Sequence, residues 1–422
     1  MSKITFSFLV FTSTTFMLLG QCPSGDIVFT TQAQVNQFST LYPNCRRVKA
    51  SITINDSNIM FLDSLYKIDT IDFALAVNQN NALKSLEGLH NLKLVQDLGI
   101  SGNPLIMDLK GLRSLKNAIN SLSVENMSGL INLTGLESLE NTRQLAIVNC
   151  NKLSNLIGLS ALTKTSTFII QGNMVLQNLI GVNTSKTFGD HFNISYNPNL
   201  LEFPNFTNMT RIFNFNLTGN PRLKSLKGLE ALNTTWFFTI SANDSLANID
   251  AMSNLKTINF FAKIEDNKSL TQINGLANVD IAALDSLIIV NNPKLSTCNN
   301  KLTCGYVAIP TNIVRINNNA PLCATRASIS TQCSLVGNKN FALLDKINIY
   351  PNPCGNIIHI DGLPPNSYIS ILDQNLREVT SSISTLSNGE VNTTYLSNGL
   401  YFVVCKNEKM GIQKTFKLAI HH

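Results

Sequence analysis

The sequence predicts a protein dominated by β-structure: a parallel β solenoid of about 12 coils of 23–27 residues, followed by a small antiparallel β-sandwich. Three observations predict this fold class. A hydrophobic pattern returns in one register along most of the chain, asparagine recurs at one position of that pattern, and short alternating segments replace it after Cys333. Repeats of this length are typical of solenoids, in which each coil buries its apolar face against its neighbours.

The repeat has an apolar anchor and a second apolar residue six positions later. The anchors are Ile54, Val77, Ile100, Val124, Ile147, Ile170, Ile194, Leu217, Ile240, Ile264, Ile289 and Ile316. The residues at position +6 are Met60, Leu83, Ile106, Leu130, Leu153, Leu176, Leu200, Leu223, Leu246, Leu270, Leu295 and Leu322. The residue two before most anchors is also apolar, and side chains alternate along a strand. The pattern therefore predicts one short strand per coil, with strands stacked about 4.8 Å apart in a parallel sheet.

Asparagine fills position +3 in nine of the twelve coils: Asn80, Asn103, Asn173, Asn197, Asn220, Asn243, Asn267, Asn292 and Asn319. A turn after a strand leaves backbone groups unpaired, and a short amide side chain can bridge them. Cys150 occupies the same position, which predicts a buried ladder residue and not a redox thiol. Glycine recurs at +11, where we expect a corner that needs positive φ or close packing: Gly88, Gly111, Gly135, Gly158, Gly181, Gly228 and Gly275.

Composition and targeting signals favour an exported protein. The net charge of +6 is scattered, with no basic block longer than Arg46-Arg47, so we expect no nucleic-acid partner. Residues 1–21 have the positive start and short apolar core of a secretory signal peptide. No other segment is apolar for long enough to span a bilayer, so we expect no membrane span in the mature chain.

Eight of the nine cysteines are disulfide candidates, because a signal peptide implies an oxidising compartment. They are Cys22, Cys45, Cys298, Cys304, Cys323, Cys333, Cys354 and Cys405. Zinc is the competing interpretation for the four cysteines between 298 and 333. Their spacing lacks a CxxC knuckle and no histidine lies nearby, which favours disulfides. Four cysteines allow three pairings, and the sequence leaves these open.

The pattern LxIxxNxxLxxLxGLxxL resembles the leucine-rich-type repeats of receptor L-domains found in secreted proteins of Bacteroidota. The segment from Cys22 to Cys45 resembles the N-terminal cap of those proteins, with a short helix over 32–39 that covers the first coil. The segment 317–320 and the cysteines around it resemble their closing cap. The resemblance covers about residues 22–335 and implies a receptor-like recognition fold without catalytic residues.

A second resemblance begins after a linker at 336–344. Tyr350-Pro351-Asn352-Pro353, a strand ending in Asp373, and Leu400-Tyr401-Phe402-Val403 strongly resemble the type A C-terminal sorting domain of type IX secretion. This resemblance spans 345–422. It implies that the secretion machinery is a partner, that the chain crosses the outer membrane, and that this domain is removed as the rest is released or attached to the cell surface. Cys354 and Cys405 are unusual for the family, and we expect them to join its first strand to a late one.

The sequence shows no catalytic constellation, and we expect neither an enzyme nor a cofactor or metal. The five histidines belong to separate segments, apart from the adjacent His421 and His422 at the end of the chain, and no HExxH, GxSxG or P-loop occurs. Lys263 and Glu265 lie two apart on one strand, which favours a solvated ion pair over an acid–base device. A carbohydrate-active β-helix lyase is the enzyme alternative, since such enzymes also stack coils with asparagine ladders.

The best candidate for a binding site lies on outward positions of four successive coils. Its residues are His191, Asn193, Asn214, Asn216, Phe237, Thr239, Phe261 and Lys263, with Trp236 and Phe260 beside them. Exposed aromatic rings on adjacent strands would form an apolar platform, and the amides beside it suit a glycan or peptide. The competing interpretation is that the rings pack beneath a loop or under each other.

These observations predict an exported, cell-surface or secreted protein that binds an extracellular glycan or protein ligand on the solenoid face. Two alternatives stay open: the carbohydrate-active β-helix enzyme, and a purely structural surface protein.

Overall fold

The computed structural model describes residues 22–182, 189–337, 347–364, 367–375, 377–379, 383–384, 389–407 and 412–422. The chain forms two compact units, Met1–Ile329 and Ser330–His422. The predicted signal peptide at 1–21 lies outside the described residues, as does most of the predicted linker at 336–344.

Strands dominate both units. The strands of the first are β1 (Ile27–Phe29), β2 (Arg47–Val48), β3 (Ile52–Ile54), β4 (Thr70–Asn78), β5 (Leu94–Ser101), β6 (Asn117–Glu125), β7 (Asn141–Val148), β8 (Thr167–Gln171), β9 (His191–Ser195), β10 (Arg211–Thr218), β11 (Thr234–Ser241), β12 (Thr257–Glu265), β13 (Ser286–Val290) and β14 (Ile313–Asn317). Those of the second are β15 (Asn348–Tyr350), β16 (Ile357–Asp361), β17 (Tyr368–Leu372), β18 (Ile383–Ser384), β19 (Glu390–Asn392), β20 (Gly399–Asn407) and β21 (Ile412–Ile420). The helices are α1 (Gln32–Leu41), α2 (Lys301–Ala308) and α3 (Arg326–Gly337).

The strands of the first unit form one 14-stranded parallel sheet, in the order β1, β3 and then β4 to β14, with β2 beside β4. Every predicted anchor lies opposite the next one along the sheet. Ile54 pairs with Val77 at one end, and Ile289 pairs with Ile316 at the other. The predicted solenoid and its register are therefore confirmed. The sheet also has a strand before the first anchor, where Phe29 pairs with Ile54.

Position +6 is buried in ten of the twelve coils, from Leu83 to Leu295. The prediction is wrong at both ends of the solenoid, where Met60 is 46% exposed and Leu322 is 55% exposed. In the first coil the buried side chain is Ile59, one position earlier. In the last coil it is Cys323, whose disulfide with Cys298 fixes the local chain position.

The asparagines at +3 form the predicted ladder inside the coils. The Asn220 side chain donates to the carbonyl oxygen of Ile194, 2.9 Å away, and its Oδ1 accepts from the backbone N–H of Asn197. Cys150 takes the corresponding place in its own coil: its N–H donates to Asn173 Oδ1 at 2.9 Å, and its Sγ lies 3.6 Å from the carbonyl oxygen of Val124. The ladder residue of each coil thus supplies hydrogen-bond partners to backbone groups in the turn of the neighbouring coil.

The glycines at +11 sit where neighbouring coils approach each other. Gly158 has φ +119°, and a Cβ there would lie 2.1 Å from the carbonyl oxygen of Leu133. Gly111 lacks a positive φ, but a Cβ there would lie 2.1 Å from the backbone of Leu86. Both parts of the prediction, positive φ and close packing, therefore apply along the column.

Caps close the two ends of the solenoid. Helix α1 covers the predicted span and extends it by two residues; Thr31 and Gln34 form a capping box at its start. Cys22–Cys45 closes the first segment and Cys298–Cys323 the last coil. Cys304 and Cys333 are also disulfide-bonded. The six cysteines of the caps are thus oxidised, as the sequence predicts.

The second unit contains two antiparallel sheets, with the strand orders β15-β16-β19 and β18-β17-β20-β21. Alternate residues from both sheets form one apolar cluster that includes Ile358, Ile371 and Val403. The predicted antiparallel β-structure is confirmed. Asp373 Oδ1 accepts from the backbone N–H groups of Asn375 and Arg377, which holds the turn after β17.

The predicted disulfide between Cys354 and Cys405 is wrong, because both are buried free thiols. Cys354 lies beside Ile420, whereas Cys405 lies opposite Lys414 on the same strand, β21. Six residues of strand separate those two positions by about 20 Å, whereas a disulfide needs its Cα atoms within about 7 Å.

Candidate functional site

The predicted site residues form two rows on the outer face of β9 to β12. One row runs from His191 through Asn214 and Phe237 to Phe261, each paired with the next across the sheet. The second row, one pleat further along, consists of Asn193, Asn216, Thr239 and Lys263. All eight side chains are partly exposed. The structure thus brings together the residues that the sequence grouped.

An irregularity in the sheet adds a third row. The pairing of β11 with β12 shifts between Thr235 and Phe237, and similar shifts occur between earlier strands. Such a bulge directs two consecutive side chains to the same face. Phe260, four residues before its anchor, lies at this shift and is 40% exposed, although strict alternation would place it inside. Phe213, at the same position of β10, is 39% exposed.

Five aromatic rings from three adjacent strands form a continuous group, which we call the aromatic band. Its members are Phe213, Trp236, Phe237, Phe260 and Phe261. Phe237 lies at the centre, with its ring centroid 5.3 Å from Phe213, 5.0 Å from Phe260 and 5.2 Å from Phe261. The rings support each other without being covered, which combines the predicted platform with part of the competing interpretation.

A guanidinium and an imidazole ring border the band. The guanidinium of Arg211 lies 4.5 Å from the centroid of the Trp236 ring, a distance typical of a cation–π contact. On the other side His191 meets Phe213 edge-on, with centroids 6.3 Å apart. Neither Arg211 nor Phe213 was identified from the sequence.

A shallow depression adjoins the band on the same face of the sheet. It has a volume of about 670 Å³, and we call it the polar depression. Its lining residues are Asp97, Asn120, Ser121, Arg143, Gln144, Thr167, Ile169, Asp190, His191, Asn193, Asn214 and Asn216. Four predicted residues therefore line it. The other four (Phe237, Thr239, Phe261 and Lys263) lie beyond it, in the same two rows.

Hydrogen bonds within and between strands hold the polar side chains in place. Asn216 Nδ2 donates to Asn193 Oδ1 at 2.9 Å, and Thr218 Oγ1 donates to Asn216 Oδ1 at 2.7 Å. At the far end of the depression, Ser121 Oγ donates to the Asp97 carboxylate at 2.6 Å. The face thus presents preordered amides and hydroxyls, which can each donate and accept.

The Lys263 ammonium contacts the Glu265 carboxylate, so these residues form the ion pair that the sequence favours. Within the described ranges, no three His, Cys, Asp or Glu residues lie close enough together to hold a metal ion. The arrangement on this face is suited to holding a ligand by contact and hydrogen bonding.

Comparison with known protein families assigns the end of the chain. Residues 348–420 match the secretion system C-terminal sorting domain, within the span predicted at 345–422. A comparison with curated proteins finds no match. The sorting domain addresses its chain to type IX secretion, so the protein is exported and is either secreted or held at the cell surface. In the described part of the chain, no helix has the length and apolar character needed to cross a bilayer.

Proposed function

We propose that this exported chain is a non-catalytic recognition or adhesion protein, which binds an extracellular glycan or protein ligand on the outer face of β9 to β12. One observation carries the proposal: the aromatic band and the polar depression are contiguous on that face and share its residue rows. Partly exposed aromatic groups beside ordered polar groups are typical of binding surfaces. The resemblance of the repeat to receptor L-domains supports the same role.

The position of the band within the sheet also supports binding. Strands β9 to β12 are interior strands of the 14-stranded sheet, with β13 and β14 between β12 and its C-terminal end. Apolar rings there have no structural need to reach solvent, because the core of each coil is already filled by inward residues such as Phe215 and Phe238. Exposing the rings costs solubility and is best explained by a ligand that covers them.

The carboxylates of this face support a role without catalysis. Asp97 accepts a hydrogen bond from Ser121, Glu125 accepts one from Ser123, and Glu265 pairs with Lys263. A glycosidase needs two carboxylates that face each other across a sugar. These bonded carboxylates are oriented toward their own neighbours. The other carboxylate that lines the polar depression, Asp190, immediately precedes β9, four strand spacings or about 19 Å from Asp97, which exceeds the separation that a glycosidase uses.

The proposal is tested with the purified full chain on arrays of glycans and bacterial and host surface proteins. We expect at least one ligand to be retained by the wild type and lost in the double variant Phe237→Ala/Phe261→Ala. The matched control is Phe73→Ala, which removes a 53% exposed phenylalanine from β4, well outside the band.

Circular dichroism shows whether the variants are folded. If the double variant binds the ligand as tightly as the wild type does, the binding site lies elsewhere on the chain. If the purified chain releases unsaturated sugars from a polysaccharide, the lyase alternative replaces the proposal.

A further inference from the structure

We infer that the ligand is a linear, uncharged polysaccharide that lies across the strands, from β7 within the polar depression to β12 in the aromatic band. This inference rests on the proposed function, since it names the ligand class of the same surface.

The central position of the site rules out recognition by strand addition. An extended peptide adds to a sheet through unpaired main-chain groups at an edge. The strands of the site are paired on both sides, as β10 is with β9 and β11. Their N–H and C=O groups are used within the sheet, and the ligand is therefore read by side chains alone.

The side chains match the two surfaces of a sugar ring. The hydroxyl groups of a sugar both donate and accept, as do the amides of Asn193, Asn214 and Asn216. The C–H faces of the same ring are apolar and pack on aromatic faces. Phe213 and Phe260, the most exposed members of the band, offer that surface next to the amides. A protein ligand would not require amides and aromatic rings to lie side by side in this way.

The period of the sheet matches the period of such a chain. Neighbouring strands are about 4.8 Å apart, so the six strands from β7 to β12 span about 24 Å. Each pyranose ring of an extended polysaccharide advances by about one strand spacing. A chain that crosses the strands can therefore place successive rings over equivalent rows.

The charges of the site favour a neutral polymer. Asp97 and Asp190 line the polar depression with one guanidinium, that of Arg143, and Lys263 is already paired with Glu265. An anionic polymer binds where cations are in excess. No such excess exists among the described residues that line the depression.

The test measures Kd for the full chain by calorimetry with the neutral polymers hydroxyethyl cellulose, xylan and galactomannan and with the anionic polygalacturonate, and with oligosaccharides of two to eight sugars from any polymer that binds. We expect at least one polymer to bind, with a hexasaccharide at least tenfold tighter than its disaccharide. The variant Phe213→Ala/Phe260→Ala should weaken binding by about tenfold or more, whereas Phe73→Ala should leave it unchanged. Should the double variant not fold, Asn214→Ala provides the same comparison.

Four results would overturn the inference. An affinity that does not depend on the length of the sugar chain would contradict the match with the strand period. Binding of polyuronates alone would contradict the assignment of a neutral polymer. If no polysaccharide binds, but the wild type captures a surface protein that the Phe237→Ala/Phe261→Ala variant does not capture, the proposed function stands and this inference fails. If neither binds, both fail.

Discussion

The two sides of each coil follow opposite rules. On the inner side, the same residue returns in successive coils: from Asn197 to Asn292, every ladder position is asparagine and is fully buried. On the outer side, the row that includes His191 changes from Asp97 and Ser121 at one end to Phe237 and Phe261 at the other. Because coils contact only their neighbours, a position that serves folding must recur in each coil. The difference indicates that repeated positions build the fold, whereas the outward positions are free to vary from coil to coil and include the proposed site.

The largest expected effect compares two asparagines that lie four residues apart in one coil. Asn220→Ala removes the donor to the carbonyl oxygens of Ile194 and Thr218, and the acceptor for the N–H of Asn197. We expect a loss of about 3–5 kcal/mol, since each buried unpaired group costs about 1–3 kcal/mol. The matched variant Asn216→Ala removes a partly exposed amide and should cost less than about 1 kcal/mol.

Urea unfolding measures both variants, followed by the fluorescence of Trp236, the only tryptophan in the chain. That signal reports on the solenoid alone. Equal losses for Asn220→Ala and Asn216→Ala would remove the distinction between the two sides.

A second comparison concerns two glycines. Gly158→Ala places a Cβ 2.1 Å from the carbonyl oxygen of Leu133, at a φ of +119°. We expect a loss of about 2–4 kcal/mol. A Cβ at Gly99, on the outer face of β5, meets nothing within 4 Å, so Gly99→Ala should be neutral or slightly stabilising. Thermal unfolding of the two variants side by side checks this, and a stable Gly158→Ala would contradict the assigned corner.

A third prediction repairs the ladder. Cys150→Asn supplies the amide used by neighbouring coils, with Val124 O as acceptor for its side chain and Asn173 as partner for its N–H. We expect a gain of about 1 kcal/mol. A loss would show that the pocket accepts only a sulfur atom.

The same residue predicts a dependence on pH. Burial raises the pKa of the Cys150 thiol to about 12, above the ordinary value of 9.0. From about pH 9 to 12 the unfolded chain loses this proton while the folded chain keeps it, so stability is full below pH 9 and declines as pH rises. Cys150→Asn should remove that part of the decline. Urea unfolding at pH 8 and pH 10 measures the decline in the free energy of unfolding. An equal decline in the wild type and in Cys150→Asn would contradict the assignment.

The smallest expected effect on stability is at the aromatic band. Phe260→Ala removes a 40% exposed ring and should cost less than about 1 kcal/mol, although it removes a stacking partner of Phe237. Truncation of a fully buried ring such as Phe238 should cost about 3–5 kcal/mol. Urea unfolding compares the two, and similar costs would show that the band belongs to the core.

The fold could be predicted from the sequence because the inner positions recur. All twelve anchors lie in the predicted register, whereas the errors at position +6 fall at the first and last coils, where Met60 and Leu322 adjoin a cap and not a further repeat on one side. Phe213 was missed because alternation assigns it to the interior, and a bulge depends on backbone geometry that the residue pattern does not encode. The free thiols of Cys354 and Cys405 were missed because pairing depends on strand register in the second unit.

The candidate site was found where aromatic residues broke the outward pattern, as Phe237 and Phe261 do. The polar depression extends toward β5 through residues such as Arg143 and Gln144, which follow no repeat and differ in no way from ordinary surface residues in sequence. Only the sheet register shows that Gln144 continues the row of His191 and that Arg143 lies beside that row.

The most direct test of the division between the two sides is a fluorescence titration of Trp236 with the polysaccharides that the full chain binds. Because no other tryptophan is present, the emission reports on the aromatic band alone. A saturable change in emission that matches the calorimetric Kd and persists in Gly99→Ala and Phe73→Ala is the predicted result. Saturated binding that leaves the emission of Trp236 unchanged would contradict the account, because the ligand would then lie elsewhere.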